Sequence, residues 1–228
     1  MPGKPQITAF EWVPPIVQGL VRDVRCRWAF EEVGMDYDVH LLKLGENRGE
    51  AHRALQPFGQ IPTYSDGEVE IFESGAIVLH IARLRPGLLP TRPADEARTI
   101  AWIFSALNSV EPLIFDYQLA TFFDAGEDYA KLFLPKAIER LRGRLGDLAK
   151  TLGNRPWLVG NDFTAADLIM VSVLRQISDT DMLAEEQHLA DYVARGEARP
   201  AFRKALADHL KAFEGAKPPA WFTQGEKK

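Results

Sequence analysis

A single cysteine, Cys26, stands among 228 residues. That excludes an internal disulfide and a Cys-x-x-Cys redox pair, and with them thioredoxin-type oxidoreductase chemistry. No apolar run approaches the roughly 18–20 residues that a membrane span requires. The opening MPGKPQITAF has no apolar signal-peptide core, so a cytosolic protein is expected. Basic clusters are also missing. A net charge of −5 argues against nucleic acid or an anionic membrane as partner. His40, His52, His80, His188 and His209 are scattered without metal-ligand spacing, so no metal is expected. Neither a glycine-rich phosphate loop nor a Gly-x-Ser-x-Gly elbow occurs.

What is present is ordinary for a globular chain, 46% apolar and 26% charged, with ample length for a real core. Ile7 to Phe10 is a short β-type run. Arg22 to Val33 reads as a helix, with Cys26, Ala29, Phe30 and Val33 on one stripe and Gly34 as its left-handed cap. Tyr37 to Leu42 is the next strand, and a weak helix follows over Arg48 to Leu55. After a Pro57-Phe58-Gly59 turn and the Ile61-Pro62 bond, Pro62 to Ser65 and Glu68 to Phe72 form two strands. They flank Asp66-Gly67, a pair that tolerates positive φ and marks a hairpin. Glu73-Ser74 then opens an apolar helix (Ala76, Ile77, Leu79, Ile81, Ala82). Ser74 reads as its N-cap, and the helix mouth is a ready anion site. The order βαβ-α-ββα predicts a parallel first pair and an α/β domain over residues 1–84.

Arg85 to Pro93 holds three prolines and a glycine, which makes residues 85–93 a linker. Everything from 94 to 228 reads as an all-α domain. Ile100, Ile103, Phe104 and Leu107 form one stripe, Leu141, Leu145, Leu148 and Leu152 a second, and Phe202, Leu206 and Leu210 a third. Asn161 to Leu168 is a capping box: Thr164 caps, Asp167 reaches back, and Phe163 with Leu168 forms the hydrophobic staple. The helix it starts, Ala165 to Leu174, is apolar nearly all round and must be centrally buried.

The hairpin with Glu73-Ser74 in one half, and Trp157-Leu-Val-Gly before the capping box in the other, resemble the glutathione S-transferase family over about residues 6 to 213. The resemblance implies a thioredoxin-like N-terminal domain binding glutathione as co-substrate, and a helical-bundle C-terminal domain supplying an electrophile pocket. It implies that Ile61-Pro62 is cis, with Gln60, Ile61 and Pro62 at the peptide backbone of the ligand. The Glu73 carboxylate would meet the ligand's α-ammonium, while Ser74 and the helix mouth meet its α-carboxylate. A twofold homodimer is implied too. The bland alternative is a plain hairpin and helix with a capping Ser.

Family members activate the thiol through a Tyr, Ser or Cys after the first strand. The corresponding Glu11 to Arg25 contains none of these and no Thr. Gln18, Arg22 and the backbone amides of Gly19 to Val21 are the remaining candidates for stabilising a thiolate. Gln18 equally reads as a loop residue and Arg22 as a solvated charge. Cys26, on the apolar stripe, reads as a core thiol, and His80 as a satisfied core residue. The electrophile would meet Phe104, Leu107, Asn108 and Glu111, with Trp12 and Pro14-Pro15 as a wall, unless these prolines and Trp12 merely anchor the surface. The expected function is transfer of glutathione to a small hydrophobic electrophile. The alternatives are a non-catalytic binding or interaction protein and a glutathione-dependent isomerase or dehalogenase.

Overall fold

The computed structural model describes residues 3–225. Strand β1 (Gln6–Phe10) is followed by helix α1 (Asp23–Glu32), β2 (Asp38–Leu42), α2 (Glu50–Leu55), β3 (Thr63–Ser65), β4 (Glu70–Phe72) and α3 (Ser74–Leu84). The sheet order is β2-β1-β3-β4. β1 and β2 are parallel, Ile7 facing Val39, because a helical crossover joins them. The other pairings are antiparallel. As an inner strand β1 is covered on both faces, and Ile7, Thr8 and Ala9 are all buried. Thr8 Oγ1 accepts the Thr63 N–H at 2.8 Å, pinning the strand that follows Pro62. β4 begins two residues later than the sequence pattern places it. Asp66 Oδ1 accepts the Glu68 and Val69 N–H groups at 3.0 and 2.8 Å, so these residues belong to the turn.

The helical region runs α4 (Pro93–Ser105), α5 (Glu111–Gln118), α6 (Asp128–Leu152), α7 (Ala165–Leu174), α8 (Asp181–Ala184) and α9 (Gln187–Glu197). Wider π turns join α4 to α5 at Ala106–Val110 and continue α5 at Leu119–Phe123. Pro112 supplies the cause of the first: it has no N–H to donate, and its ring crowds the carbonyl four residues back. The stripe Leu141, Leu145, Leu148 and Leu152 is buried, whereas Phe104 is 57% exposed and departs from the stripe expected of it. All ten residues of α7 are buried, and the Thr164–Asp167 capping box forms at its start. Gly196 brings α9 against α7, since a Cβ there would lie 2.8 Å from Val171. The Phe163 ring, expected to staple onto Leu168, sits edge-on to Trp157 at 4.9 Å.

Helices α10 (Pro200–Lys211) and α11 (Ala220–Gly225) complete the chain. Two compact units result: residues through Leu88 together with those from Pro200, and Leu89–Arg199. The sequence pattern groups 94–228 as one helical domain with 85–93 as its linker. The difference arises because α10 packs on α1, with Trp28 edge-on to Phe202 at 4.8 Å. α1, with α3 also packed on it, is therefore buried along Asp23 to Phe30, including the charged Asp23, Arg25 and Arg27. Among the described residues, no helix is long and apolar enough to cross a membrane.

Candidate functional site

The β3–β4 register sets the geometry. Thr63 faces Phe72, so Pro62 and Glu73 flank that pair at the open end of the hairpin. The Ile61-Pro62 bond is cis. The loop before it is held by three side chains. Gln56 Oε1 accepts the Gln60 N–H at 3.1 Å, His52 Nε2 lies 2.6 Å from the Gln60 carbonyl, and Asn47 Nδ2 donates to the Gly59 carbonyl. Gln56 and His52 are buried, whereas the Gln60 side chain is exposed. The backbone N–H and C=O of Ile61 meet no hydrogen-bonding partner among the described residues. Sequence spacing dismissed His52 along with the other histidines; its function as a brace needs no metal-ligand pattern.

Glu73 has φ of +72°, the one positive value outside glycine among the described residues. Such a conformation costs about 1–3 kcal/mol and persists where the surroundings enforce it, often at a ligand site. Its carbonyl accepts the Ile77 N–H at 2.9 Å, so Glu73 begins the helical hydrogen bonding. Ser74 is thus the first helical residue and not the N-cap expected from sequence. Its hydroxyl accepts a hydrogen bond from Arg25 Nη1 at 3.1 Å. Arg25 is 2% exposed, and its cation adds to the partial positive charge of the α3 amides at one point. Sequence spacing alone does not pair Arg25 with Ser74. The signal was available: a buried helix cannot carry Arg25 beside Cys26 and Trp28 unless the guanidinium has a partner.

The segment before α1 is more committed than expected. The Gln18 amide donates to the Val13 carbonyl at 3.2 Å, so that N–H₂ is engaged within its own loop. The Gly19 N–H donates to His209 Nε2 at 3.2 Å, and the Leu20 N–H to the Val17 carbonyl at 3.0 Å. The Val21 amide donates to no acceptor among the described residues. Arg22 is exposed at the α1 N-cap. Cys26 is fully buried, and burial pushes its thiol pKa far up against the opposing pull of Arg25 and Arg27. His80 departs from its expectation: the ring is edge-on to Tyr64 at 5.0 Å, and its Nε2 has no partner among the described residues.

Trp12 is 7% exposed and edge-on to Phe222 at 4.9 Å, an interior packing role. In the other unit, Phe104 and Asn108 are exposed four residues apart and Leu107 is half-buried. Glu111 is buried and accepts from Gln176 Nε2 at 3.2 Å. The intervening π turns shift its phase away from Phe104, which the uniform helical spacing used on the sequence did not register.

Two family models match the chain: Glutathione S-transferase, N-terminal domain, over residues 15–83, and Glutathione S-transferase, C-terminal domain, over residues 117–209. Glutathione S-transferase 1 of Zea mays is 30% identical over 194 residues, covering 80% of this chain and 90% of that relative. The fold is similar to a Pseudomonas putida glutathione transferase crystallised with one glutathione disulfide per subunit, at TM-score 0.78 and 20% identity. That match covers 89% of this chain and 90% of the other. It is also similar to the nitrogen regulation fragment of the yeast prion protein Ure2p, at TM-score 0.74 and 22% identity, over 90% and 96% of the two chains.

Proposed function

Because this chain belongs to the glutathione S-transferase family, we propose that it binds glutathione at the mouth of α3 and transfers it to a hydrophobic electrophile. The observation that carries this reading is the buried Arg25–Ser74 contact beside the strained Glu73. A carboxylate at the helix mouth meets the Ser74 hydroxyl, the first amides of α3 and the field of Arg25. The neighbouring Glu73 carboxylate suits an α-ammonium. The Ile61 backbone, with both polar groups unengaged, suits pairing with an extended peptide. An α-amino acid end followed by a peptide is the chemistry of a γ-glutamyl tripeptide.

With Gln18 and Gly19 engaged elsewhere, the thiolate would be stabilised by the Val21 amide, the start of α1 and the charge of Arg22. Phe104, Leu107 and Asn108 are the proposed electrophile contacts. A twofold homodimer is part of the same reading. Calorimetry tests it: Glu73→Ala and Ser74→Ala should each lose about 2–5 kcal/mol of glutathione affinity with the fold retained. Unchanged affinity in both variants would refute the site.

A second reading, a binding protein without catalysis, is favoured by one observation. No hydroxyl or thiol side chain occurs between Glu11 and Arg25, and three of the remaining donors, the Gln18 amide and the Gly19 and Leu20 N–H groups, are already used. A bound thiol that titrates as in free solution would put this reading first.

A further inference from the structure

Gly19 and His209 are 190 residues apart, yet the Gly19 amide donates to His209 Nε2. On the other side of the ring, Nδ1 lies 3.0 Å from Asp23 Oδ2, which also accepts from Arg27 Nε at 2.7 Å. Asp23, His209 and Arg27 are 0%, 1% and 4% exposed. A ring nitrogen that accepts from an amide carries no proton. The imidazole is therefore neutral, with its proton on Nδ1 directed at Asp23.

We infer that His209 is a positioning residue for glutathione's thiol: held in one tautomer by Asp23, it fixes the Gly19 amide and so the turn that presents the Val21 amide. The inference rests on the glutathione reading above. Three constraints converge on this turn. Gly19 has φ of +81°, which side-chain-bearing residues rarely adopt. Its Cα faces Leu206, whose Cδ1 would lie 3.1 Å from any Cβ added there. The His209 acceptor then sets the orientation of the peptide plane. Two of the three constraints come from α10. The turn leads into α1, whose Arg25 touches Ser74, so the same helix carries the turn at one end and a glutathione-facing contact in its first turn. The Trp28–Phe202 contact and the Asp23 bond already dock α10 onto α1. The bond to Gly19 adds orientation.

Two substitutions separate these functions. His209→Asn retains a donor where Nδ1 stood, next to Asp23, but cannot reach Gly19. His209→Gln retains an acceptor at the Nε2 position and loses the Asp23 bond. For each, the full-length protein would be examined by thermal unfolding, calorimetric glutathione affinity, Gly19 amide hydrogen exchange, and pH titration of bound-thiolate absorbance. His209→Asn should keep glutathione affinity within about twofold, speed Gly19 exchange, and reduce the thiolate fraction below the titration midpoint roughly three- to tenfold, the worth of one hydrogen bond. His209→Gln should keep a near-wild-type thiol titration even if its melting temperature falls further. A wild-type protein that lowers the thiol pKa, with both variants shifting it equally or not at all, would overturn the positioning function alone. Failure of wild type to bind glutathione would overturn the glutathione reading and this inference with it.

Discussion

Two aspartates are completely buried, one in each unit, and they are satisfied in opposite ways. Asp167 divides four donors evenly. Its Oδ1 accepts from the Leu158 N–H and the Tyr192 hydroxyl, and its Oδ2 from the Thr164 N–H and hydroxyl, all at 2.8–2.9 Å. Asp23 places both donors, Arg27 and His209, on Oδ2, and its Oδ1 has no partner among the described residues. A carboxylate with every lone-pair direction used is a structural knot: it ties the loop before α7, the cap of α7 and α9 into one arrangement. A carboxylate used on one side, bonded to a cation and an imidazole beside a left-handed glycine turn, is what a site that orients a group looks like.

Asparagine at each position breaks or sharpens this contrast most directly. At Asp167 either orientation of the amide sets an N–H₂ against a buried backbone N–H, which loses its acceptor, and makes the hydroxyl beside it reverse from donor to acceptor. Asp167→Asn should cost about 3–4 kcal/mol, of which about 1–3 kcal/mol is the orphaned N–H and the rest the loss of charge from the remaining hydrogen bonds. At Asp23 the N–H₂ takes the unpartnered Oδ1 side and the remaining oxygen keeps both donors. Only the charge opposite Arg27 is lost, and Asp23→Asn should cost about 1–2 kcal/mol. Denaturant midpoints at unchanged slope measure both. Equal costs would show that Asp23 is as fully engaged as Asp167, contrary to the geometry.

The same two aspartates mark what was legible in the sequence. Asp167 was read correctly because its capping partner Thr164 lies three positions away and the motif has a fixed spacing. The hairpin and the Glu73-Ser74 helix mouth were legible for the same reason. Arg25 with Ser74, Gly19 with His209, and His52 with Gln60 were not. The first two pairs span 49 and 190 residues, and no local period records which helix will lie against which. The grouping of α10 with the first unit was missed on that account too. Its stripe announced a buried face, but Phe202 could not announce Trp28 as its neighbour. Glu111 was hard to place for a different reason, a π turn before it that a uniform 3.6-residue period does not contain.

A third carboxylate lies between the extremes. Asp66 uses Oδ1 for two turn amides and Oδ2 for the Tyr64 hydroxyl at 2.9 Å. The Val69 N–H is the largest of the influences that hold its pKa below the ordinary carboxylate value of 3.8, with the Glu68 N–H and Tyr64 hydroxyl acting the same way. The unfolded chain therefore binds this proton more readily than the folded one. The stabilisation is fully present above the unfolded pKa and is lost as pH falls through the folded one. Asp66→Asn, which keeps an acceptor for the turn amides, should cost about 1 kcal/mol at neutral pH. That difference should shrink toward zero in acid. A difference that stays constant from pH 7 to pH 2 would mean that the charge of Asp66 contributes nothing to the hairpin.

Cys26 carries the smallest expected effect and tests whether the contrast between a packed interior and a reactive turn is drawn at the right residue. It lies one turn into α1, between Arg25 and Arg27, where two cations would normally favour a thiolate. Burial raises its pKa more than those cations lower it, and the Asp23 charge acts in the same direction as burial. At neutral pH the sulfur is a protonated, apolar filler with no surface exposure. Cys26→Ala should therefore cost only about 1 kcal/mol, the loss of one buried atom and the small void it leaves. Glutathione affinity and the titration of the bound thiol should match wild type. Alkylation of the native protein by iodoacetamide should be slow, and should accelerate with denaturant in step with local or global opening of α1. Fast alkylation at neutral pH, together with a large loss of turnover in Cys26→Ala at normal glutathione affinity, would place the nucleophile on this helix. The turn held by His209 would then have no part in the chemistry.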